Sequence, residues 1–425
     1  MSSGAIALLI LGFCILLFLT NWIPSVVVAC IGCAMMVLFK VCSFADAFSG
    51  FSSSIVILMF SALTVGIAMF DTGAAQLIGK QVIRLSHDNE RRFLLTLCIV
   101  SGIMAMFMAN TAVIAAFFPI IDSVCRMSDK MRRRDFALPL AISVMVGGAC
   151  TLIGCTPQLT ASGILQSTYG FELEMFDMTI PGVCILVLTI LYISVFGIKS
   201  GKKIWGQAEV IERDLDADRK ADINADYDHR KVAVMLIIVV AMVISYVGAW
   251  LTTTMTAVLA ALLCLITGCT TVKSVIKNMN WDIVVFLAAC LGIAEGLNVS
   301  GSGNLLSGWI SPFLENVNSP FAVYAVMVIL VTIISNFVTN SAAIIIVLPI
   351  AFSICSVMGY NPLPFCIGIT FGASFACSTP LAASQIAMTL VAGYKFSDYL
   401  KYTLPLVFIF LIGTLVFVPL CYPLA

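Results

Sequence analysis

The chain has 425 residues with 22 basic and 22 acidic side chains, so its net charge is zero and nothing points to a nucleic-acid partner. Hydrophobic residues make up 61% and charged residues only 10%, which excludes a soluble protein of this size, because such a protein must cover its surface for water. The 16 cysteines are scattered singly through apolar runs, with no CxxC or Cys/His cluster, and read as small packing residues.

In chain order, apolar spans fall at about 5–20, 22–41, 54–70, 136–168, 179–198, 232–250, 254–269, 282–297, 362–390 and 403–422. The first has no basic region before it and meets a second apolar run at once, so it reads as a span rather than a signal peptide. Two stretches, 93–125 and 321–355, are too long for one simple crossing and suit helical hairpins that enter and leave on one side. Residues 199–231 carry eight basic and eight acidic side chains and read as a linker between two halves, 1–198 and 232–425.

Charge sets the orientation. With the linker in the cytoplasm, Lys80, Arg84, Arg91, Arg92, Arg126, Lys130, Arg132, Arg133, Arg134, Lys273, Lys277, Lys395 and Lys401 all fall inside. Of the 22 basic residues only Lys40 lands outside, while the acidic segment 169–177 is external. The hairpin 93–125 then enters from the cytoplasm and 321–355 from outside.

The halves repeat at an offset near 230. Asn110-Thr111-Ala112 with Pro119-Ile120 matches Asn340-Ser341-Ala342 with Pro349-Ile350. Each half then has an interrupted span, with Gly147-Gly148 to Thr156-Pro157-Gln158 in the first and Gly372-Ala373 to Thr379-Pro380 in the second. Five crossings per half is odd, so the second half is inserted upside down. The expected fold is an all-α polytopic membrane protein of two inverted five-span repeats, each with a re-entrant hairpin and an interrupted span. Such repeats mark secondary transporters with a mid-membrane site.

Asn110 and Asn340 are expected to turn the hairpins and to cap the helices that follow. Helix N-termini there would bind an anion, and amide, hydroxyl and carbonyl oxygens suit a hard cation such as sodium. No Lys or Arg lies deep in a span, so mobile cations or helix ends must neutralise a charged substrate. Glu295 is the only acid well inside a span. An enzyme is not expected, since His87 and His229 both lie in loops and no acidic or metal-binding cluster lies within the spans.

The tips Ala109-Asn110-Thr111 and Thr339-Asn340-Ser341, with Gly147-Gly148-x-x-Thr151-Leu152-Ile153-Gly154-x-Thr156-Pro157, resemble the divalent anion/sodium symporter family of the ion transporter superfamily. The resemblance spans nearly the whole chain. It implies a multi-pass inner (plasma) membrane homodimer with a fixed scaffold and an elevator-like transport part. It implies sodium-coupled import of a small divalent anion, a C4-dicarboxylate first. The alternatives are sulfate or another oxyanion, or sodium/proton antiport. No cofactor is implied beyond Na+ as coupling ion. Substrate contacts would come from Asn110, Thr111, Thr156, Pro157, Asn340, Ser341, Thr379, Pro380 and Ser384. Sodium would be held by Asn110 with Gly154, and by Asn340 with Ser335. The chain departs from the family pattern at Ala109 and Ala105, which lack hydroxyls, and at Gln158 and Ser384-Gln385.

Overall fold

A computed structural model describes residues 2–20, 22–75, 77–78, 89–127, 131–205, 228–248, 250–302, 305, 319–379 and 383–425. Two short amphipathic pieces that the sequence offers before the hairpins, about 74–86 and 303–316, lie largely outside the described residues, as do most of the linker and Pro380.

Every regular element among the described residues is helical. The first half runs α1 (Ser3–Thr20), α2 (Ser25–Leu38), short α3 (Phe44–Ala47), α4 (Ser54–Asp71), α5 (Glu90–Ala105), α6 (Asn110–Met127), α7 (Arg133–Gly148), α8 (Thr156–Tyr169) and α9 (Thr179–Tyr192). A π turn carries α9 on to Trp205. The second half runs α10 (His229–Gly248), α11 (Thr253–Ile266), short α12 (Val272–Asn278), α13 (Trp281–Val299), α14 (Pro320–Ser335), α15 (Asn340–Met358), α16 (Pro362–Ser374), α17 (Ser384–Ala387) and α18 (Phe396–Cys421). Nine elements thus recur in one order, and the first eight start about 226–230 residues apart.

The packing repeats with the order. Helix α5 lies along α7, and α14 along α16. Helix α2 of the first half packs on α13 of the second, while α11 of the second packs on α4 of the first. Helices α9 and α18 pack on each other. Exchanging the halves leaves all these pairings unchanged, as a pseudo-two-fold axis requires.

Helix α7 is buried from Asp135 to Gly148, and α16 from Pro364 to Ser374. Helices that are apolar all round belong at the centre of a bundle. The contact of α7 with α5 is made by small residues. A Cβ on Gly147 would come within 2.1 Å of the Gly102 carbonyl oxygen. Without a hydrophobic drive between helices in lipid, such close approach supplies the contact energy. The spans expected at 136–168 and 362–390 are each more than one helix; the first is broken over 149–155, and in the second α16 ends at Ser374 and α17 starts at Ser384.

Among the described residues, six helices are long and apolar enough to cross a membrane: α4, α9 with its extension, α10, α13, α15 and α18. Each expected hairpin is a pair of helices joined by a four-residue turn, 106–109 or 336–339.

Polar ties gather the charged helix ends. Lys202 at the end of α9 pairs with Glu90 at the start of α5 at 2.8 Å. Trp205 donates to buried Asp135 at 3.0 Å, and Arg132 meets the same carboxylate at 3.2 Å. Arg134 donates to the Ala392 carbonyl at 3.0 Å. These contacts bring the basic starts of α5 and α7, the end of α9 and the segment before α18 to one end. The ends of α4 and α11 meet where Thr270 and Ser274 both donate to Asp71 at 2.6 Å.

Candidate functional site

Residues that start several helices converge on one cavity of about 420 Å3. Five helices of ordinary length present their N-terminal residues to it. These are α2 (Pro24, Ser25), α6 (Ala109 to Thr111), α8 (Gly154 to Pro157), α13 (Asn280, Asp282) and α15 (Thr339 to Ser341). The first N–H groups of a helix have no carbonyl partner within it, and its N-terminus carries roughly half a positive charge. A cavity ringed by such ends attracts an anion. Among its described lining residues there is no Lys, Arg or His, and Asp282 is the one acidic residue.

Backbone conformation fixes the two tips. Helix α5 ends at Ala105 and α6 begins at Asn110; α14 ends at Ser335 and α15 begins at Asn340. The cap of α15 is Thr339, whose φ of −60° and ψ of 144° are extended, and no side chain makes a capping bond there. In the first half Val113 N–H reaches the Ala109 carbonyl at 3.1 Å. The two asparagines are therefore the first helical residues and not the caps that their sequence suggested. The residue before each, Ala109 or Thr339, takes the cap position, which releases the amide for other partners.

Those partners differ between the halves. The Ser335 hydroxyl lies 3.0 Å from Asn340 Oδ1 and 2.6 Å from the Ala373 carbonyl oxygen. Asn110 Nδ2 instead donates to Cys155 Sγ at 2.9 Å, and its Oδ1 is buried with no hydrogen-bond partner. Gly148 and Gly154 close the first cluster. A Cβ on Gly148 would stand 2.3 Å from Asn110 Oδ1. One on Gly154 would stand 2.2 Å from the Gly148 carbonyl oxygen and 2.8 Å from that of Ala105.

The breaks in α7–α8 and α16–α17 are held by a matched pair of hydroxyls. Thr151 donates to the Met106 carbonyl, and Thr379 to the Asn336 carbonyl at 2.8 Å. Thr379 thus corresponds to Thr151, and Ser384 at the start of α17 corresponds to Thr156 at the start of α8. Pairing the dipeptides Thr156-Pro157 and Thr379-Pro380 by identity is out of register with the helices.

The cavity brings together Asn110, Thr111, Gly154, Thr156, Pro157, Asn340, Ser341 and Ser384. Ser335 lies behind it, fully buried against Asn340, and Thr379 is outside the lining with its hydroxyl on Asn336. Glu295 is likewise absent from the lining. Lining residues to which the sequence reading gave no binding role are Cys155, Thr339, Ser374, Gln385, Asn280 and Asp282. Thr339 precedes the Asn-Ser tip, which was a usable signal. Ser374 and Asp282 had none, because hydropathy gives no sign of which helix end a cavity reaches.

Asn336 donates to the Thr332 carbonyl at 2.8 Å and accepts from Ser378 N–H at 3.2 Å. It pins the break and is not in the cavity lining. Asn336→Ala should lower the unfolding temperature of the detergent-purified protein by several degrees, since two bonds worth about 1 kcal/mol each are lost. The anion concentration for half-maximal uptake should change less than twofold.

Residues 15–352 match the family described as Citrate transporter. The sodium-dependent dicarboxylate transporter SdcS of Staphylococcus saprophyticus is 23% identical over 376 residues, 81% of this chain and 71% of that protein. An uncharacterized transporter of Haemophilus influenzae is 22% identical over 96% of this chain and 90% of its own length. An uncharacterized transporter of Synechocystis is 25% identical over 188 residues, and the matched stretch spans only 31% of that longer protein. Among solved structures, the Alcanivorax borkumensis YdaH transporter has a TM-score of 0.61 at 13% identity, covering 88% of this chain and 86% of that one. Neisseria gonorrhoeae MtrF also has a TM-score of 0.61, at 14% identity over 92% of this chain and 84% of its own. Both share the fold.

Proposed function

Because the chain belongs to the Citrate transporter family, we propose that it is a sodium-coupled symporter importing a small divalent anion, a C4-dicarboxylate first. The observation that carries this reading is the ring of helix N-termini around a cavity whose described lining has no basic side chain. Backbone N–H groups and hydroxyls bind a carboxylate without a fixed positive charge. Most of the substrate's charge is then left to be balanced in a low-dielectric cavity, and a co-bound cation balances it.

In this reading Asn110, Thr111, Thr156, Pro157, Asn340, Ser341 and Ser384 form the substrate surface. Sodium is held at one or both oxygen clusters behind the tips, Asn110 with Gly154 and Asn340 with Ser335. A cavity of about 420 Å3 falls in the range for small-molecule sites. The names of the dicarboxylate-transporting relatives support the substrate class and the coupling ion.

The two halves act as inverted repeats, and the basic helix ends face the cytoplasm. The starts of α2 and α13, which border the cavity, lie on that side. The structure then corresponds to an inward-facing state, in which the site communicates with the cytoplasm. On the opposite side Asn298 of α13 donates to the Ser167 carbonyl of α8 at 2.9 Å, a contact that must break when the site opens outward.

A competition panel tests the substrate. In cells taking up labelled succinate, excess malate or fumarate should abolish uptake, citrate should compete weakly, and sulfate and monocarboxylates should not compete. Uptake of labelled sulfate that succinate leaves untouched would overturn the dicarboxylate assignment.

A further inference from the structure

Asp282 is the one acidic residue in a described lining that holds no Lys, Arg or His. It is the second residue of α13 and is exposed. Among the described residues its carboxylate makes no ion pair and no side-chain hydrogen bond. An acid in the first turn ordinarily serves the helix start, by capping it or by meeting its dipole. The cap of α13 is already supplied by Asn280, whose side chain accepts from Ile283 N–H at 3.4 Å. The negative charge of Asp282 therefore stands uncompensated on the wall of a cavity that is otherwise suited to an anion.

The repeat shows that the fold does not demand an acid there. Helix α4 is the counterpart of α13. Its start is capped by Ser53, which accepts from Ile55 N–H at 3.3 Å, and its second residue is Ile55, only 1% exposed. Helix α2, which borders the cavity at Pro24 and Ser25, has α11 as its counterpart, capped by Thr252 and starting at Thr253. Exchanging the halves thus replaces Asp282, Pro24 and Ser25 by Ile55, Thr252 and Thr253, and the charge disappears. Glu172 lies at the α4 start, but it is carried by the loop after α8 and is held by the Ser54 hydroxyl. Inverted repeats open to the two sides of the membrane through their exchanged walls, so the acid belongs to the inward-open cavity.

Resting on the symport reading and the inward-facing assignment above, we infer that Asp282 sets the anion affinity of the cytoplasmic face and not of the outer face. Its charge repels a divalent anion from the inward-open cavity, so the imported anion leaves readily and rebinds poorly. The equilibrium accumulation is fixed by the ion gradients, and no residue changes it. Asp282 changes how strongly cytoplasmic anion slows further import.

The test separates the two faces. Right-side-out and inside-out membrane vesicles carrying the full chain take up labelled succinate at constant sodium, with choline chloride setting the ionic strength. In wild type the half-saturating succinate concentration at the cytoplasmic face should fall at least about twofold between about 20 mM and about 300 mM salt, because salt screens an exposed charge. Asp282→Asn should lower that concentration about threefold or more in low salt and remove its salt dependence, while the value at the outer face stays within about 1.5-fold. Asp282→Glu should behave as wild type. Glu295→Gln removes the same charge from the same helix outside the cavity lining and should move neither value. Equal shifts at both faces in Asp282→Asn, or a lower rate with both half-saturating concentrations unchanged, overturn the inference and leave symport standing. Should Asp282→Asn fail to insert, the wild-type salt series decides: a cytoplasmic value that does not fall with salt overturns the inference. Wild-type vesicles that take up no succinate with sodium at either face overturn the substrate reading itself, and this inference with it.

Discussion

Asn340→Ala and Asn110→Ala should each cut uptake at least tenfold while leaving a folded, membrane-inserted protein. Each asparagine is the first helical residue at a tip in the cavity wall. Neither caps its helix by its side chain, so removing the amide costs little helix stability. The loss falls on the ligands. Asn340 Oδ1 and the Ala373 carbonyl oxygen both lie at the Ser335 hydroxyl, and the substitution takes one ligand oxygen from that cluster. The loss of a single charge-assisted contact, about 1.5–3 kcal/mol, already amounts to tenfold or more in affinity. Asn110→Ala strips an amide from the opposite wall and frees the Cys155 thiol. The half-saturating anion concentration should rise in both variants, and that for sodium in at least one of them. Radiolabelled uptake normalised to surface expression checks this.

Gly154→Ala should abolish transport outright. Its Cβ would be placed 2.2 Å from one carbonyl oxygen and 2.8 Å from another. Both belong to backbone, at Gly148 and Ala105, so no rotamer change relieves the overlap. The break between α7 and α8 must open, and with it goes the alignment of α8 against the α6 tip. Overpacking of this kind costs about 1–3 kcal/mol, and the purified protein should melt several degrees lower while still inserting. Gly170→Ala is the contrast. No heavy atom lies within 4 Å of its added Cβ, but the residue has a φ of +78°, so the cost is backbone strain at a helix end far from the cavity. Stability should fall and the substrate dependence should stay put.

Much of this architecture is legible in the sequence. The apolar spans, the two long hairpin stretches and the recurrence of Asn and Pro at matched spacing follow from lipid solvation and chain length alone. Charge at the helix ends adds an orientation. The helix starts at Asn110 and Asn340 were readable because a polar amide in the middle of an apolar run requires a reason. Their role as first helical residues was not, since that depends on the backbone of the residue before. The second broken span misled because Thr379-Pro380 looks like Thr156-Pro157. Only the bonds from Thr151 and Thr379 to the hairpin carbonyls set the register. Asp282 reads as an ordinary acid in the first turn of a helix. Its place on the cavity wall is a matter of tertiary packing that no local pattern encodes.

Sodium is expected to balance the charge of an anion in a cavity whose described lining has no basic side chain. The direct measurement is uptake of labelled succinate into proteoliposomes under an imposed inward sodium gradient, compared with an equal potassium gradient and with a pH gradient alone. Accumulation above equilibrium with the sodium gradient only, collapsing when sodium is equalised, is the predicted result. Equal accumulation driven by a pH gradient in the absence of sodium would contradict the account.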